Sequence, residues 1–159
     1  MSAKLTIIAS FIHCFFMSDY INTGAYLQAL ADDLVLNLHQ QLEKKGFAEI
    51  RPSHGWIFHY IADTGSRITD LASKAKITKQ SMSVIVYQLE AWGYLERKPD
   101  PTDKRAVLFV LTGKGQELRK VGRAINKDFE QVWEQKLGRD DFQRFRQYLH
   151  TLYTHQTDT

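Results

Sequence analysis

The sequence predicts a mostly α-helical protein with one small β-hairpin, and three observations lead to this fold class. Leucines recur every three or four residues between 27 and 42, which is the period of an amphipathic helix. Two more apolar stripes of this period follow residue 112. Between these regions, residues 97–115 read RKPDPTDKRAVLFVLTGKG. Two prolines exclude a helix there, and a β-rich run follows a charged segment, which is typical of a charged hairpin.

The first part of the chain is predicted to contain three helices. The leucine stripe predicts a long helix over residues 20–45 that ends near Gly46. A second helix is expected to begin at Pro52 or Ser53 and to end at the turn of residues 63–65. We expect Thr69 to cap a short third helix over residues 70–75.

A fourth helix is predicted after Thr78, which suits the N-cap position. One side of this helix is apolar and comprises Met82, Ile85, Val86 and Leu89. The opposite side is polar and uncharged to basic. A length of about 14 residues gives roughly 21 Å, enough to lie along a DNA major groove. An ordinary surface helix fits the same pattern equally well.

Two strands and two helices complete the predicted order. The strands cover residues 94–98 and 106–111, with Asp103, Lys104 and Arg105 at the tip between them. Thr112 is expected to cap a long helix, and a last helix begins at Arg139. The long helices at both ends carry wider apolar stripes than a compact centre can cover. Pairing with a second copy would bury these stripes; packing on one another as a bundle is the alternative.

Length and composition favour one folded domain, since the chain has 159 residues and is 43% hydrophobic. Its single cysteine, Cys14, excludes an intramolecular disulfide framework and favours a reducing compartment, so a cytoplasmic location is expected. The apolar run at residues 5–17 is too short to span a bilayer, and we expect no membrane partner. Residues 1–19 are interpreted as an N-terminal extension whose order the sequence leaves open.

The net charge of +3 is concentrated in one segment. Residues 64–105 contain eight basic and five acidic side chains, whereas the rest of the chain is balanced. A basic patch of this kind attracts phosphate and makes nucleic-acid binding depend on salt. A solvated basic face without such a partner is the alternative.

Residues 68–115 resemble the winged-helix core of the MarR family of transcriptional regulators. The resemblance rests on Leu71-Ala72, the helix end at residues 89–93, Tyr94-Leu95-Glu96-Arg97, an Asp-x-x-Asp-x-Arg wing, and Leu111-Thr112 followed by Gly115. It implies a single domain over residues 1–159 with a winged helix-turn-helix core at 52–111. Dimerisation helices would occupy 20–50 and 112–156.

The resemblance also implies a function. A homodimer would bind a pseudo-palindromic double-stranded DNA operator whose half-sites lie about one helical turn apart, roughly 34 to 36 Å. The regulator would be a ligand-responsive repressor. Residues 79–88 would form the recognition helix, with Gln80, Ser83, Val84 and Tyr87 nearest the bases. Many relatives carry a basic residue in place of Val84 and an acidic one near Tyr87, so this face is less charged than usual.

In the wing, the resemblance implies that Arg105 enters a minor groove, with Asp103 orienting its guanidinium. Other basic side chains of this region would contact phosphate. The complete predicted DNA-binding set is Thr78, Lys79, Gln80, Ser81, Ser83, Val84, Tyr87, Gln88, Arg97, Lys98, Asp103, Lys104 and Arg105.

A sensing site is predicted in the second helix, since family members commonly respond to small aromatic or phenolic effectors. His54, Trp56, His59 and Tyr60 could stack on such a ligand and donate hydrogen bonds to it. Aromatic residues at helical spacing also occur in ordinary cores, which is the alternative. Cys14 offers a redox-sensing alternative, although its apolar neighbours would raise a thiol pKa if they bury it.

Other classes of function have weaker support. The histidines and the single cysteine show no metal-ligand spacing, so neither a metal site nor a cofactor is expected. No nucleophile with an adjacent base, carboxylate pair or phosphate-binding glycine loop stands at diagnostic spacing, and the chain is therefore not expected to be an enzyme. A winged-helix module that contacts only proteins is the remaining competitor.

Overall fold

A computed structural model of the chain describes residues 21–155. Within this range the elements are α1 (Thr23–Lys44), a 3-10 turn (Pro52–His54) that leads into α2 (Gly55–Tyr60), α3 (Ile68–Lys74), α4 (Lys79–Ala91), β1 (Leu95–Asp100), β2 (Asp103–Leu111), α5 (Gly113–Leu137) and α6 (Arg139–His155). The chain divides into two compact units, Met1–Leu36 and Asn37–Thr159. The element order confirms the predicted fold class. The N-terminal extension at residues 1–19 and Cys14 lie outside the described residues.

Two of the three predicted helix caps are confirmed. The hydroxyl of Thr78 accepts the backbone N–H of Ser81 at 3.1 Å, and that of Thr112 accepts the backbone N–H of Gly115 at 3.1 Å. Each bond satisfies one of the N–H groups that a helix start leaves without a partner.

The predicted cap at Thr69 is wrong, because α3 begins at Ile68 with Arg67 in the N-cap position. The cause is a tertiary contact. Ser66 pairs with Phe109 of β2 through two backbone hydrogen bonds. The chain passes from this bridge directly into the helix, so that Ile68 packs against the core as the first helical residue.

The β-hairpin formed by β1 and β2, here called the wing, is antiparallel and pairs in one register from Leu95 opposite Leu111 to Pro99 opposite Val107; the register then shifts, and Asp100 lies opposite Asp103. Both strands are longer than predicted, and the turn lies at residues 101–102. The carboxylate of Asp100 accepts both the N–H and the hydroxyl of Thr102, at 2.8 and 2.6 Å. Since these bonds close the turn early, the predicted tip residues lie in β2 instead.

One hydrophobic core in the second unit lies beneath α4 and the base of the wing. Met82, Val86 and Leu89 of α4 are fully buried, and Ile85 packs against them. The same cluster contains Leu42 from the end of α1 and Leu118 and Ile125 from α5. The apolar side of α4 is therefore turned inward, as predicted, and its opposite side remains at the surface.

The terminal helices carry large apolar side chains that the single chain leaves exposed. These are Tyr26, Leu27, Leu30, Val35 and Leu36 on α1, Val132 and Leu137 on α5, and Tyr148, Leu152 and Tyr153 on α6. None of the helices in the described range is long and apolar enough to cross a membrane.

Candidate nucleic-acid interface

The exposed face of α4, defined here as Gln80, Ser83, Val84, Tyr87 and Gln88, contains the predicted base-reading residues. Val84 is 64% exposed and Tyr87 47% exposed. Water does not stabilise such large apolar side chains, and they suit contact with thymine methyl groups. The Ser83 hydroxyl donates to the Lys79 carbonyl at 2.8 Å, which leaves it as an acceptor toward a ligand.

The first turn of α4 is held by its own polar groups. The Thr78 and Ser81 hydroxyls lie 2.9 Å apart, and Thr78 also caps the helix. These two predicted DNA contacts therefore have a structural role in the free chain. Lys79 is exposed beside them. The N-terminus of the helix, with its partial positive charge, adds to the attraction for phosphate.

Arg97 ties the wing to α4. Its guanidinium donates to both carboxylate oxygens of Glu90, at 2.5 and 2.8 Å, and lies over the rings of Tyr87 and Phe109. The bond to Glu90 raises the pKa of Arg97. The sequence predicted that Arg97 contacts phosphate. Because Glu90 already compensates its charge, Arg97 is better suited to holding Tyr87 in place.

A second ion pair, which the sequence reasoning missed, fixes the turn of the wing. Arg67 at the start of α3 donates through Nε and Nη2 to Oδ2 of Asp100, at 2.7 and 2.6 Å. Asp100 is only 5% exposed. Hydrogen bonds from the side chain and backbone of Thr102, and then from Arg67, lower the pKa of Asp100 to about 2. The Asp-x-Thr spacing, typical of an Asx turn, was the available signal.

Acid is expected to weaken the fold through this aspartate. A carboxyl group whose pKa is about 2 in the folded chain and 3.8 in the reference state stabilises the fold above the higher value. That stabilisation is lost as the pH falls through this window. Wild-type melting temperature should therefore drop more between about pH 5 and about pH 3 than that of Asp100→Asn. An equal drop in melting temperature for the two proteins over this pH range would contradict this assignment.

Arg105 extends from the exposed edge of β2, and no described side chain forms an ion pair with it. Asp103 accepts the backbone N–H of Arg105 at 3.0 Å, and its other oxygen lies 3.8 Å from Arg67. Asp103 thus acts on Arg105 through the backbone in the free chain, whereas the sequence predicted a bond to its guanidinium. Lys98 lies 3.2 Å from Glu96, and both are more than half exposed. The side chain of Lys104 lies outside the described part of the structure.

The four residues predicted to hold an effector separate into two groups. His54 is 1% exposed and belongs to the interior. Trp56 and Tyr60 stack in parallel with centroids 5.9 Å apart, and His59 meets Tyr60 edge-on at 4.6 Å. Burial raises the pKa of Tyr60, and the neighbouring Tyr153 of α6 raises it further. In residues 21–155 no group of three or more acidic, histidine or cysteine side chains could hold a metal ion.

The arrangement of α3, the turn, α4 and the wing defines a winged helix-turn-helix protein of the DNA-binding class. The sequence model of the MarR family matches residues 48–106, the part of the chain that carries this arrangement. Residues 48–106 are therefore similar to the MarR family of winged-helix transcriptional regulators.

Solved structures of transcriptional regulators share the fold. The regulator Tm0710 from Thermotoga maritima is 27% identical, with a TM-score of 0.58 over 81% of this chain and 89% of that one. Streptococcus pneumoniae FabT in complex with DNA is 18% identical, with a TM-score of 0.73 over 85% and 95%. Mycobacterium tuberculosis MarR family protein Rv2887, in complex with salicylic acid, is 21% identical, with a TM-score of 0.64 over 84% and 98%. Among curated protein sequences, none gives a significant match.

Proposed function

We propose that the protein is a homodimeric transcriptional repressor that binds a pseudo-palindromic operator and leaves it when a small aromatic effector binds. One observation carries the DNA-binding part. The polar side of α4 is exposed beside a wing that two ion pairs, Arg67 with Asp100 and Arg97 with Glu90, hold against the helix-turn-helix. A helix and a wing fixed together fit the major groove and the adjoining minor groove of one half-site.

In this proposal the DNA-binding residues are those predicted from the sequence, divided by role. Gln80, Ser83, Val84, Tyr87 and Gln88 read bases, and Arg105 reads the minor groove. Lys79, Lys98 and Lys104 contact phosphate, whereas Thr78, Ser81, Arg97 and Asp103 position their neighbours. Arg67 and Asp100, which the sequence did not predict, join the positioning residues. The core at 52–111 would form the DNA-binding part of one domain.

The dimer is supported by the apolar side chains that the terminal helices leave exposed. Large apolar side chains that a single chain leaves exposed commonly mark an interface with another protein. Two-fold symmetry would then present two copies of α4 to successive major grooves. The helices at 20–50 and 112–156 would form this interface. Sedimentation equilibrium at micromolar concentration should give twice the mass of one chain.

DNA binding is tested by selecting sequences from a random duplex pool and measuring mobility shifts at two salt concentrations. A repressor of this kind should enrich a pseudo-palindrome and lose affinity steeply as salt rises. A protein-interaction module would enrich nothing. Because the basic side chains of residues 64–105 would contact phosphate, the slope of affinity against salt concentration measures these contacts.

Effector binding is supported by the stack of Trp56, His59 and Tyr60, and by the salicylic acid complex of the Rv2887 structure. Since Trp56 is 45% exposed, one ring face is available to a planar ligand. Salicylate should weaken operator binding by the wild-type protein and have little effect on Trp56→Ala. Phe58→Leu, a change on the same helix outside the stack, is the matched control. An unchanged response in Trp56→Ala would remove this stack from the sensing site.

A further inference from the structure

A buried histidine connects the 3-10 turn to α4. His54 accepts the backbone N–H of Arg51 at 2.8 Å through Nδ1, and its Nε2 lies 3.2 Å from Oε1 of Gln88. The ring also meets Trp92 edge-on at 5.4 Å. Because only 1% of its surface is exposed, His54 has no solvent partner that could replace these contacts.

These contacts fix the tautomer of His54. A backbone N–H can only donate, so Nδ1 must carry its lone pair toward Arg51. In a neutral imidazole the proton then resides on Nε2. Burial lowers the pKa of His54, and the charges of Arg51 and His39 lower it further, while the bond to Gln88 raises it. The neutral ring with a proton on Nε2 is therefore the form at neutral pH.

The tautomer in turn fixes the amide of Gln88. The Nε2 proton needs an acceptor, so the Gln88 oxygen must face the ring and its NH2 group must point away from it. Gln88 is exposed on the face of α4 that carries Val84. A group that approaches this side chain from solvent meets the two N–H donors first, because the carbonyl oxygen is turned toward the ring of His54.

We propose that His54 is a positioning residue that fixes Gln88 as a hydrogen-bond donor toward DNA. The inference rests on the proposed DNA-binding role of α4. A free glutamine pairs with adenine through its oxygen and its nitrogen together. With its oxygen held by His54, Gln88 selects acceptors: guanine O6 or N7, thymine O4, or a phosphate oxygen. His54 thereby influences base preference without touching DNA.

The first test needs no DNA. Ring-nitrogen chemical shifts of the 15N-histidine-labelled protein identify which nitrogen of His54 carries the proton. We expect protonation on Nε2 alone at neutral pH, and a changed Nε2 shift in Gln88→Met. A proton on Nδ1, or a charged ring, would overturn the proposal even if the protein binds its operator.

The second test is a double-mutant cycle on an operator selected by the wild-type protein. His54→Asn keeps an oxygen near the position of Nδ1 for Arg51 but is too short to reach Gln88. If Gln88 faces a base, His54→Asn should reduce the preference at one operator position by about tenfold, the value of one good contact. If Gln88 faces phosphate, affinity should fall equally for all sequences. In the Gln88→Met background neither effect should appear.

A purely structural role gives a different pattern. His54→Asn would then weaken DNA binding to the same extent with Gln88 and with Gln88→Met, which would overturn the proposal. Should His54→Asn fail to fold, His54→Phe, which keeps the ring volume, replaces it in the cycle. Absence of operator binding by the wild-type protein would refute the proposed function, whereas a His54 variant that keeps both the affinity and the base preference of the wild type would refute this inference alone.

Discussion

Replacing Gly115 by alanine is expected to lower the free energy of unfolding by about 3 kcal/mol. A Cβ at this position would lie 2.2 Å from the carbonyl oxygen of Tyr94 and 3.0 Å from Cδ2 of Leu111. That carbonyl accepts the N–H of Thr112 at 3.1 Å, and the N–H of Tyr94 is bonded to Leu89. Backbone held at both ends cannot move aside cheaply, so α5 and the wing would be forced apart.

The measurement is urea unfolding followed by circular dichroism, with Gly113→Ala as the matched control. Gly113 also lies in the first turn of α5, but a Cβ there meets nothing within 4 Å. Since alanine is a better helix former than glycine, Gly113→Ala should be neutral or slightly stabilising. Equal stability changes in the two variants would show that close packing on Tyr94 is not what requires a glycine at 115.

Arg105→Ala is expected to lower operator affinity by about 1 to 3 kcal/mol and to leave the melting temperature unchanged. The side chain is exposed on β2 and forms no ion pair with the described side chains, so its removal costs the free chain nothing. In the complex it would lie in a narrow A·T-rich minor groove, where the negative potential is strongest. Fluorescence anisotropy with a labelled operator measures the loss.

The control for this variant is Arg144→Ala, which removes an exposed arginine from α6, where it pairs with Asp141 at 3.2 Å. It subtracts the same charge far from the wing in sequence and should leave operator affinity nearly unchanged. Equal binding by Arg105→Ala and wild type would exclude the wing from DNA recognition. Equal losses in both variants would indicate that only net charge matters.

Local sequence signals predicted the helix caps correctly where the capping side chain and the backbone N–H that it accepts are close in the chain. Thr78 and Thr112 each bond to an N–H three residues away. The Thr69 cap failed because Ser66 pairs with Phe109, far along the chain, and that bridge sets the start of α3. The hairpin turn was misplaced for a local reason, since Asp100 and Thr102 close it before the charged residues.

The sequence predicted the exposed residues of the candidate site but not the side-chain pairs that hold them in place. Gln80, Val84 and Arg105 follow from helical period and the family wing pattern, which the sequence displays. Arg67 with Asp100, and His54 with Gln88, are separated by 33 and 34 residues, and only the fold brings each pair together. The sequence assigns His54 to a ligand site because it belongs to the same predicted helix as Trp56 and Tyr60, whereas its ring lies in the interior.

The central claim is that two copies of the chain place α4 in successive major grooves on one side of a duplex. Hydroxyl-radical footprinting on the selected operator tests it most directly. The account predicts two protected patches related by two-fold symmetry, with centres about one helical turn, roughly 34 to 36 Å, apart. A single protected patch, or protection without symmetry at saturating protein, would contradict it.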